Sequence, residues 1–477
     1  MLLLLMCPGT SCRSRSNASG SVLPPRHKLS PALRQVYDDS LQGSTAGQRV
    51  MVDLVPQIDL TRLDDSLRRS GGDRALRRRV VVGALRRVAE PSQNRLEPVL
   101  RRLQRRGMIG NYQRVVIVNR FIVRTTAAGL RALAAESEVA AITEETASDS
   151  VDVLSLSRAS GLRGGTGPRS WALDAIGVGP AWRRGLDGRG VVIGIIDAGA
   201  SAAHEQLRQN YRGGDASWYS PAESTSTPTD ILRGHGTGVL SAAVGGRVAG
   251  TIIGVAPAAQ WIACAGLPLG HYNNVTVTLC ADWMLTTGQP DVLINAWQLP
   301  YPGCDRSLQR IMTAWHAAGI LSIFAAGNDG PVSHSDRSPA NYGFSVGSVT
   351  SSGTLFPRSS RGPNSCDGSI YPTVAAPGDD VPVAYPLTSS TYIRTGGTSV
   401  AAGLTAGAAA LLLQRDPGAS VDEIERALRE GTVDAGSTGP DNDFGYGRLS
   451  VSGALKVLGR IRTNVSASPN SVAPTHK

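Results

Sequence analysis

Aromatic residues are scarce in this chain, 5% of 477 residues, and cysteine occurs only six times. With so few large rings, the core has to be built from small side chains in close-packed helices and tight loops, a role suited to the abundant alanines and the 55 glycines. Cys7, Cys12, Cys264, Cys280, Cys304 and Cys366 are too sparse for a disulfide scaffold, and no CxxC pair suggests a metal cluster. The last four could form two bridges in an oxidising compartment or stay buried thiols, and their spacing leaves both open. No apolar run reaches the roughly 18 residues of a membrane-spanning helix, which excludes a helical integral membrane protein. What is present is an ordinary globular balance, 41% hydrophobic and 18% charged. The length leaves room for about three domains.

The net charge of +10 would suit nucleic acid or an anionic surface if it were spread over the molecule. It is not: the arginines concentrate between Arg62 and Arg106, in runs such as Arg77-Arg78-Arg79. No zinc-ligand spacing or RNA-binding signature accompanies them. Residues 1–91 therefore read as an Arg-rich, partly disordered and solvated leader, and no nucleic-acid partner is expected. The apolar start, Met1 to Cys7, lacks a preceding basic residue and is short for a secretory signal.

From residue 92 the pattern changes. Leu96, Val99, Leu100 and Leu103 recur at helical spacing. Residues 114–118 and 121–125 read as strands around a turn at Asn119-Arg120, residues 127–135 as a helix and 139–143 as a closing strand. Residues 92–147 thus form an expected small α/β plait. A Ser-, Gly- and Arg-rich linker spans 148–170, and a polar tail 461–477. Between them, residues 171–460 alternate buried strands (191–196, 261–265, 292–294, 320–325) with helices (237–244, 275–286, 308–318). The expected class is α/β, a parallel sheet with helices on both faces. Ligands of such sheets gather at the carboxyl ends of the strands.

Asp197 ends the first of these strands; alone it reads as a cap or turn residue. His235, in Gly234-His235-Gly236-Thr237-Gly238, opens a helix of small residues, where a charged imidazolium is disfavoured without a carboxylate partner. Ser399, in Gly396-Gly397-Thr398-Ser399-Val400-Ala401-Ala402, reads in isolation as the N-cap of an all-apolar helix.

In that order, Asp197, His235 and Ser399 resemble the three catalytic motifs of the subtilisin-like serine proteases, or subtilases. Asn328, in Ala325-Ala326-Gly327-Asn328, matches the position of that family's side-chain oxyanion donor. Ile253-Gly254-Val255-Ala256-Pro257 and Ala375-Ala376-Pro377-Gly378 look like further family blocks. Trp261-Ile262-Ala263, Ser338-Pro339-Ala340-Asn341-Tyr342 and Gly445-Tyr446-Gly447 look most like bacillopeptidase F-type members. The resemblance implies a three-layer catalytic domain preceded by a plait propeptide that chaperones folding, occupies the cleft and is removed by self-cleavage within 148–170. It also implies that substrate peptide lies along Ala296, Trp297 and Gln298 and along Ala325, Ala326 and Gly327. Protein or peptide substrates and a secreted or periplasmic location follow from the same likeness. No cofactor is expected; many subtilases bind structural calcium, but no loop here has a diagnostic carboxylate spacing.

The chain also departs from the family pattern. Ala198 stands where a hydroxyl residue is usual, Gly238 where a second His is usual, and Gly403 where a Pro is usual, a change expected to loosen the helix. Gln298 replaces a usual Gly, so its side chain is expected to crowd the pocket mouth. That substitution motivates the alternative reading, a weak or inactive subtilase fold that serves as a binding scaffold. Two other motifs are set aside. Gly343-Phe344-Ser345-Val346-Gly347 has the G-x-S-x-G form of an esterase elbow, but the only histidine downstream is His476. Gly188-Arg189-Gly190 precedes its strand, unlike a dinucleotide loop.

Overall fold

Two larger sheets organise the chain. The computed structural model describes residues 26–39, 47–70, 73–148, 162–163, 170–223, 225–230, 234–248, 250–332 and 335–466. The start of the chain, nearly all of the 148–170 linker and the end of the tail lie outside these residues.

The first sheet is antiparallel. Helix α1 (Pro31–Asp39) is followed by β1 (Gln48–Leu54), α2 (Leu60–Ser70), α3 (Arg74–Arg105), β2 (Ile109–Val115), β3 (Arg120–Thr125), α4 (Ala127–Ala135) and β4 (Val139–Glu144). The strand order is β2-β3-β1-β4, so β1 lies inside the sheet with a partner on either side. This corrects the expectation of a leader through residue 91. Its second half builds the centre of this sheet and most of a 32-residue helix. Pro91 and Pro98 interrupt the sequence pattern of α3, but both point to solvent. On the opposite face, Val81, Leu85, Ala89, Leu96, Leu100 and Leu103 are buried. Nor are all the arginines solvated. Arg77 is buried on Asp64, 2.5 Å away, while Arg74 and Arg78 hold Asp291 at 3.2 and 2.8 Å.

A two-residue strand, β5 (Ala147–Ser148), leads out of this module. The second sheet then comprises β6 (Val192–Asp197), β7 (Trp218–Tyr219), β8 (Gln260–Ala265), β10 (Val292–Asn295), β11 (Leu321–Ala325), β12 (Phe344–Val349) and β13 (Val374–Pro377). A short β9 (Tyr272–Asn273) lies outside it. The seven strands are parallel in the order β13-β12-β11-β10-β6-β8-β7. Alternate residues of β6 serve opposite faces: Ile193 and Ile195 join one apolar cluster, Ile196 the other. On the first face lie α5 (His235–Val244), α8 (Thr398–Arg415), α9 (Val421–Glu430) and α10 (Val451–Ser466). The last of these carries helix past residue 460, where a polar tail was expected. The other face is covered by α6 (Asn274–Trp283) and α7 (Gln309–Ala317). This is a three-layer α/β domain. Ser345 of the rejected esterase motif is buried in β12.

The N-terminal module packs on α6 and α7. Met51, Leu67, Val81, Leu85, Ile117 and Ile122 share one buried cluster with Val277, Ala281, Ile311 and Trp315. Polar contacts fix the register. Asp282 Oδ1 accepts the N–H groups of Val116 and Ile117 at 2.8 and 2.7 Å. Cys264–Cys280 and Cys304–Cys366 are both disulfide-bonded, which resolves the two alternatives left by their spacing. Among the described residues no helix is long and apolar enough to cross a membrane.

Candidate active site

Strand order reverses beside β6: the chain continues from it to β8 on one side and to β10 on the other. A crevice opens at the carboxyl ends where this happens, and Asp197 is the last residue of β6. It is wholly buried. One oxygen accepts the Ala198 N–H at 2.7 Å, and both oxygens lie 2.8 Å from Nδ1 of His235, the first residue of α5. With Nδ1 facing a carboxylate, the imidazole proton sits on that nitrogen and Nε2 is the free base. Among the described residues Nε2 has no hydrogen-bond partner, although it is buried. Burial opposes charge on His235, but Asp197, and beyond it Asp230, outweigh burial and raise its pKa above the ordinary value.

Asp230 escaped the sequence reading. Its Oδ2 accepts both the N–H and the hydroxyl of Thr237, at 2.8 and 2.7 Å, capping the first turn of α5. Burial pushes its carboxyl up to about 6. The only signal in the sequence is an acidic residue five positions before His235.

Ser399 is not the N-cap of its helix: Gly397 is, and Ser399 is the second residue of α8. Its place beside His235 follows from helix register. A Cβ on Gly403 would overlap the Val239 carbonyl oxygen, and one on Gly407 would lie 2.8 Å from that of Ala243. The closest approaches therefore pair 403 with 239 and 407 with 243, one turn apart on both helices, as two parallel axes require. Carried back one turn, the same register brings Ser399 to the level of His235, but among the described residues no hydrogen bond joins Ser399 to His235 Nε2. Gly403 thus allows α8 to seat against α5, and the expected loosening gives way to a close backbone contact.

Asn328 completes the corner. Its Oδ1 accepts the N–H and the hydroxyl of Thr398, at 3.0 and 3.1 Å. A backbone N–H can only donate, so the atom facing it is the amide oxygen, and Nδ2 is the end left to donate elsewhere. The Ser399 N–H is a second such donor. It precedes Val400, whose N–H bonds back to Gly397.

The expected substrate-binding residues divide into buried supports and crevice groups. Ala296 and Ala325 are buried in the apolar cluster on one face of the sheet, while Trp297 lies in the cluster on the other face, against Tyr272. Ala326 has both backbone groups occupied: its N–H donates to Val346, and its carbonyl accepts the Tyr371 hydroxyl. Gly327, with φ 110°, donates to Thr398 Oγ1 at 3.1 Å. Gln298 is half-buried, and its side chain reaches toward Gly327.

Comparison with known proteins agrees with this arrangement. Residues 188–447, more than half of the chain, match the model of the subtilase family. The chain is 32% identical over 343 residues to bacillopeptidase F of Bacillus subtilis (strain 168), covering 64% of this chain and 23% of that protein. It is 31% identical over 307 residues to the minor extracellular protease Epr of the same organism, covering 64% and 44%. To subtilisin Savinase of Lederbergia lenta it is 30% identical over 286 residues, covering 60% of this chain and 98% of that one. The chain belongs to the subtilase family. It spans less than half the length of the first two relatives.

Proposed function

We propose that this chain is a serine endopeptidase that hydrolyses peptide bonds of proteins through Asp197, His235 and Ser399. The observation that carries the reading is the buried His235, held by Asp197 through Nδ1 and with Nε2 unpartnered beside the start of α8. Ser399 Oγ attacks the scissile carbonyl carbon while His235 Nε2 takes its proton; the same proton then passes to the leaving amine. Asp197 holds the Nδ1–H tautomer and stabilises the imidazolium as it forms. The carbonyl oxygen, as it becomes an oxyanion, is held by Asn328 Nδ2 and the Ser399 N–H. Water enters on the vacated side and attacks the acyl carbon as Nε2 takes one of its protons; the C–Oγ bond then breaks, Nε2 returns the proton to Ser399 Oγ, and the acyl group leaves as a carboxylic acid.

The N-terminal module acts in this reading as a propeptide, and the path of its last residues supports that role. β5 pairs antiparallel with β9, at the crevice end of the large sheet. Asn274 brackets Thr146, its N–H donating to the Thr146 carbonyl at 3.1 Å and its Oδ1 accepting the Thr146 N–H at 2.9 Å. Asn273 Nδ2 donates to Glu145 at 2.6 Å. The chain from 144 to 148 is thereby strapped, extended, to the segment that leads into α6. The two disulfides and the name of the extracellular relative support a secreted or periplasmic enzyme.

Intact masses of wild type and Ser399→Ala, taken after purification and ageing at neutral pH, test the reading. Wild type is expected to lose its first 148 to 170 residues while the variant stays whole. Equal processing of both proteins would contradict it.

A further inference from the structure

Gln298 connects the crevice to the choice of substrate. The chain leaves β10 through Ala296 and Trp297, and the Gln298 side chain turns toward Gly327, the residue before Asn328. Its Oε1 lies 2.6 Å from the point where a Cβ of Gly327 would stand, with Ser360 Oγ at 2.8 Å on the same side. Both ends of this arm are anchored. At its base the next residue, Leu299, donates its N–H to Ser338 at 2.8 Å. At its head Nε2 faces Asp329 Oδ2 at 3.5 Å, and that oxygen is held by Arg337 Nε at 2.7 Å. Arg337 in turn bonds through Nη1 to the Pro300 carbonyl, closing a ring of contacts that runs from Gln298 through Asp329 and Arg337 back to residue 300.

A peptide that places its carbonyl oxygen on Asn328 Nδ2 and the Ser399 N–H has the side chain of that residue only one Cα away from the carbonyl carbon. Gly327 adjoins Asn328 and is tied by its N–H to Thr398, so this side chain has to pass beside Gly327, where the Gln298 carboxamide lies. We propose that Gln298 narrows the primary pocket and restricts the residue on the acyl side of the cleaved bond to small side chains such as Ala, Ser or Gly. A Phe or Leu side chain would have to expel the carboxamide and break its contact with Asp329. A pocket that discriminates by bulk gives selectivity of about 10- to 100-fold. The inference rests on Ser399 being the nucleophile, and it replaces crowding as a cause of weak activity with crowding as a cause of selectivity.

The test uses the full chain as wild type, Gln298→Ala and Gln298→Met, with fluorogenic tetrapeptides differing only in Ala or Phe at the acyl position. A fluorophosphonate, which carries no side chain there, reports the nucleophile independently in each protein. Wild type is expected to favour Ala over Phe by at least about 10-fold in kcat/KM. Gln298→Ala should cut that ratio by about 10-fold through a gain on Phe, whereas Gln298→Met, of similar length, should keep it. Fluorophosphonate labelling with equal rates on both peptides, or with a ratio that Gln298→Ala does not move, overturns the pocket assignment alone. A ratio lost equally in the Met variant also overturns it, since bulk would not be the cause. If Ser399 is not labelled in any of the three proteins, the hydrolase reading and this inference fail together.

Discussion

His235 and His316 are both held by buried aspartates, yet of the two only His235 keeps a ring nitrogen without a hydrogen-bond partner. Asp197 occupies Nδ1 of His235 and leaves Nε2 open to the start of α8. At His316, Nδ1 lies 3.0 Å from Asp64 and Nε2 3.3 Å from Asp422, so both nitrogens are occupied. Burial opposes charge there as well, but Asp422 and Asp64 hold the imidazole up at about 9, and it stays an imidazolium at neutral pH. Asp64 comes from the N-terminal module and Asp422 from α9, with Arg68 bound to both carboxylates at 3.0 and 2.7 Å. One carboxylate and a free nitrogen make a proton carrier. Carboxylates on both nitrogens make a clasp, here one that joins the module to the domain.

The largest effect that separates the two sites should come from Ser399→Ala and His235→Ala. Each is expected to lower kcat on a peptide substrate by about 10⁴-fold or more, while His316→Gln should leave it within about tenfold. Steady-state kinetics checks this, with the variants that cannot cleave themselves first matured in trans by a trace of wild type. Asn328→Ala comes next, with a loss of about 10²- to 10³-fold in kcat and little change in KM, because the donor acts on charge that appears only in the transition state.

A smaller effect is expected where α5 and α8 meet. Gly403→Ala puts a methyl against the Val239 carbonyl oxygen, so the helices must separate. Thermal unfolding should show a loss of about 1–3 kcal/mol. Activity should fall further than stability alone explains, because Ser399 sits one turn from the contact. Unchanged activity and stability would contradict the register argued for Ser399 and His235.

The clasp should make docking of the module pH-dependent, and the sign is fixed. A histidine whose pKa is raised to about 9 contributes its stability in full below its ordinary value near 6.5 and loses it as pH rises toward 9. Glu425 faces the same cluster, pushed up to about 7 by burial, and weakens docking in the same direction over a lower range. Asp64 works at the acid end. Burial opposes its charge, but His316 and Arg68 hold its carboxyl down at about 2, so its contribution is lost as pH falls below about 4. In the Ser399→Ala chain, hydrogen-exchange protection of α2 should therefore decline from pH 6.5 to 9, and His316→Gln should flatten that decline. The total effect is about 1.5–3 kcal/mol, the size of a hydrogen bond to a charged group.

The comparison also shows what a sequence conveys. Asp197, His235, Ser399 and Asn328 were legible as candidates because each lies in a short motif at the end of a strand or the start of a helix, where a local pattern singles it out. Four of the seven strands of the large sheet were legible because strands buried on both faces read as plain apolar runs, such as Val192 to Ile196. Pairing partners 252 residues apart leave no local trace, so the clasp between Asp64 and His316 was invisible. The same holds for β1 and α3. Their arginines read as solvent-facing, yet Arg77 is buried because Asp64 and the Ala317 carbonyl await it from other elements. Gly403 was misjudged for a related reason: its helix propensity is local, whereas the close approach of α5 is not.

The most direct test of the central claim is fluorophosphonate labelling of wild type, His235→Ala and His316→Gln, with the modified residue mapped by peptide mass spectrometry. Labelling at Ser399 in wild type and His316→Gln, and its loss in His235→Ala, is the result expected of one base and one clasp. Labelling that survives in His235→Ala, or that falls on a residue other than Ser399, would contradict the account.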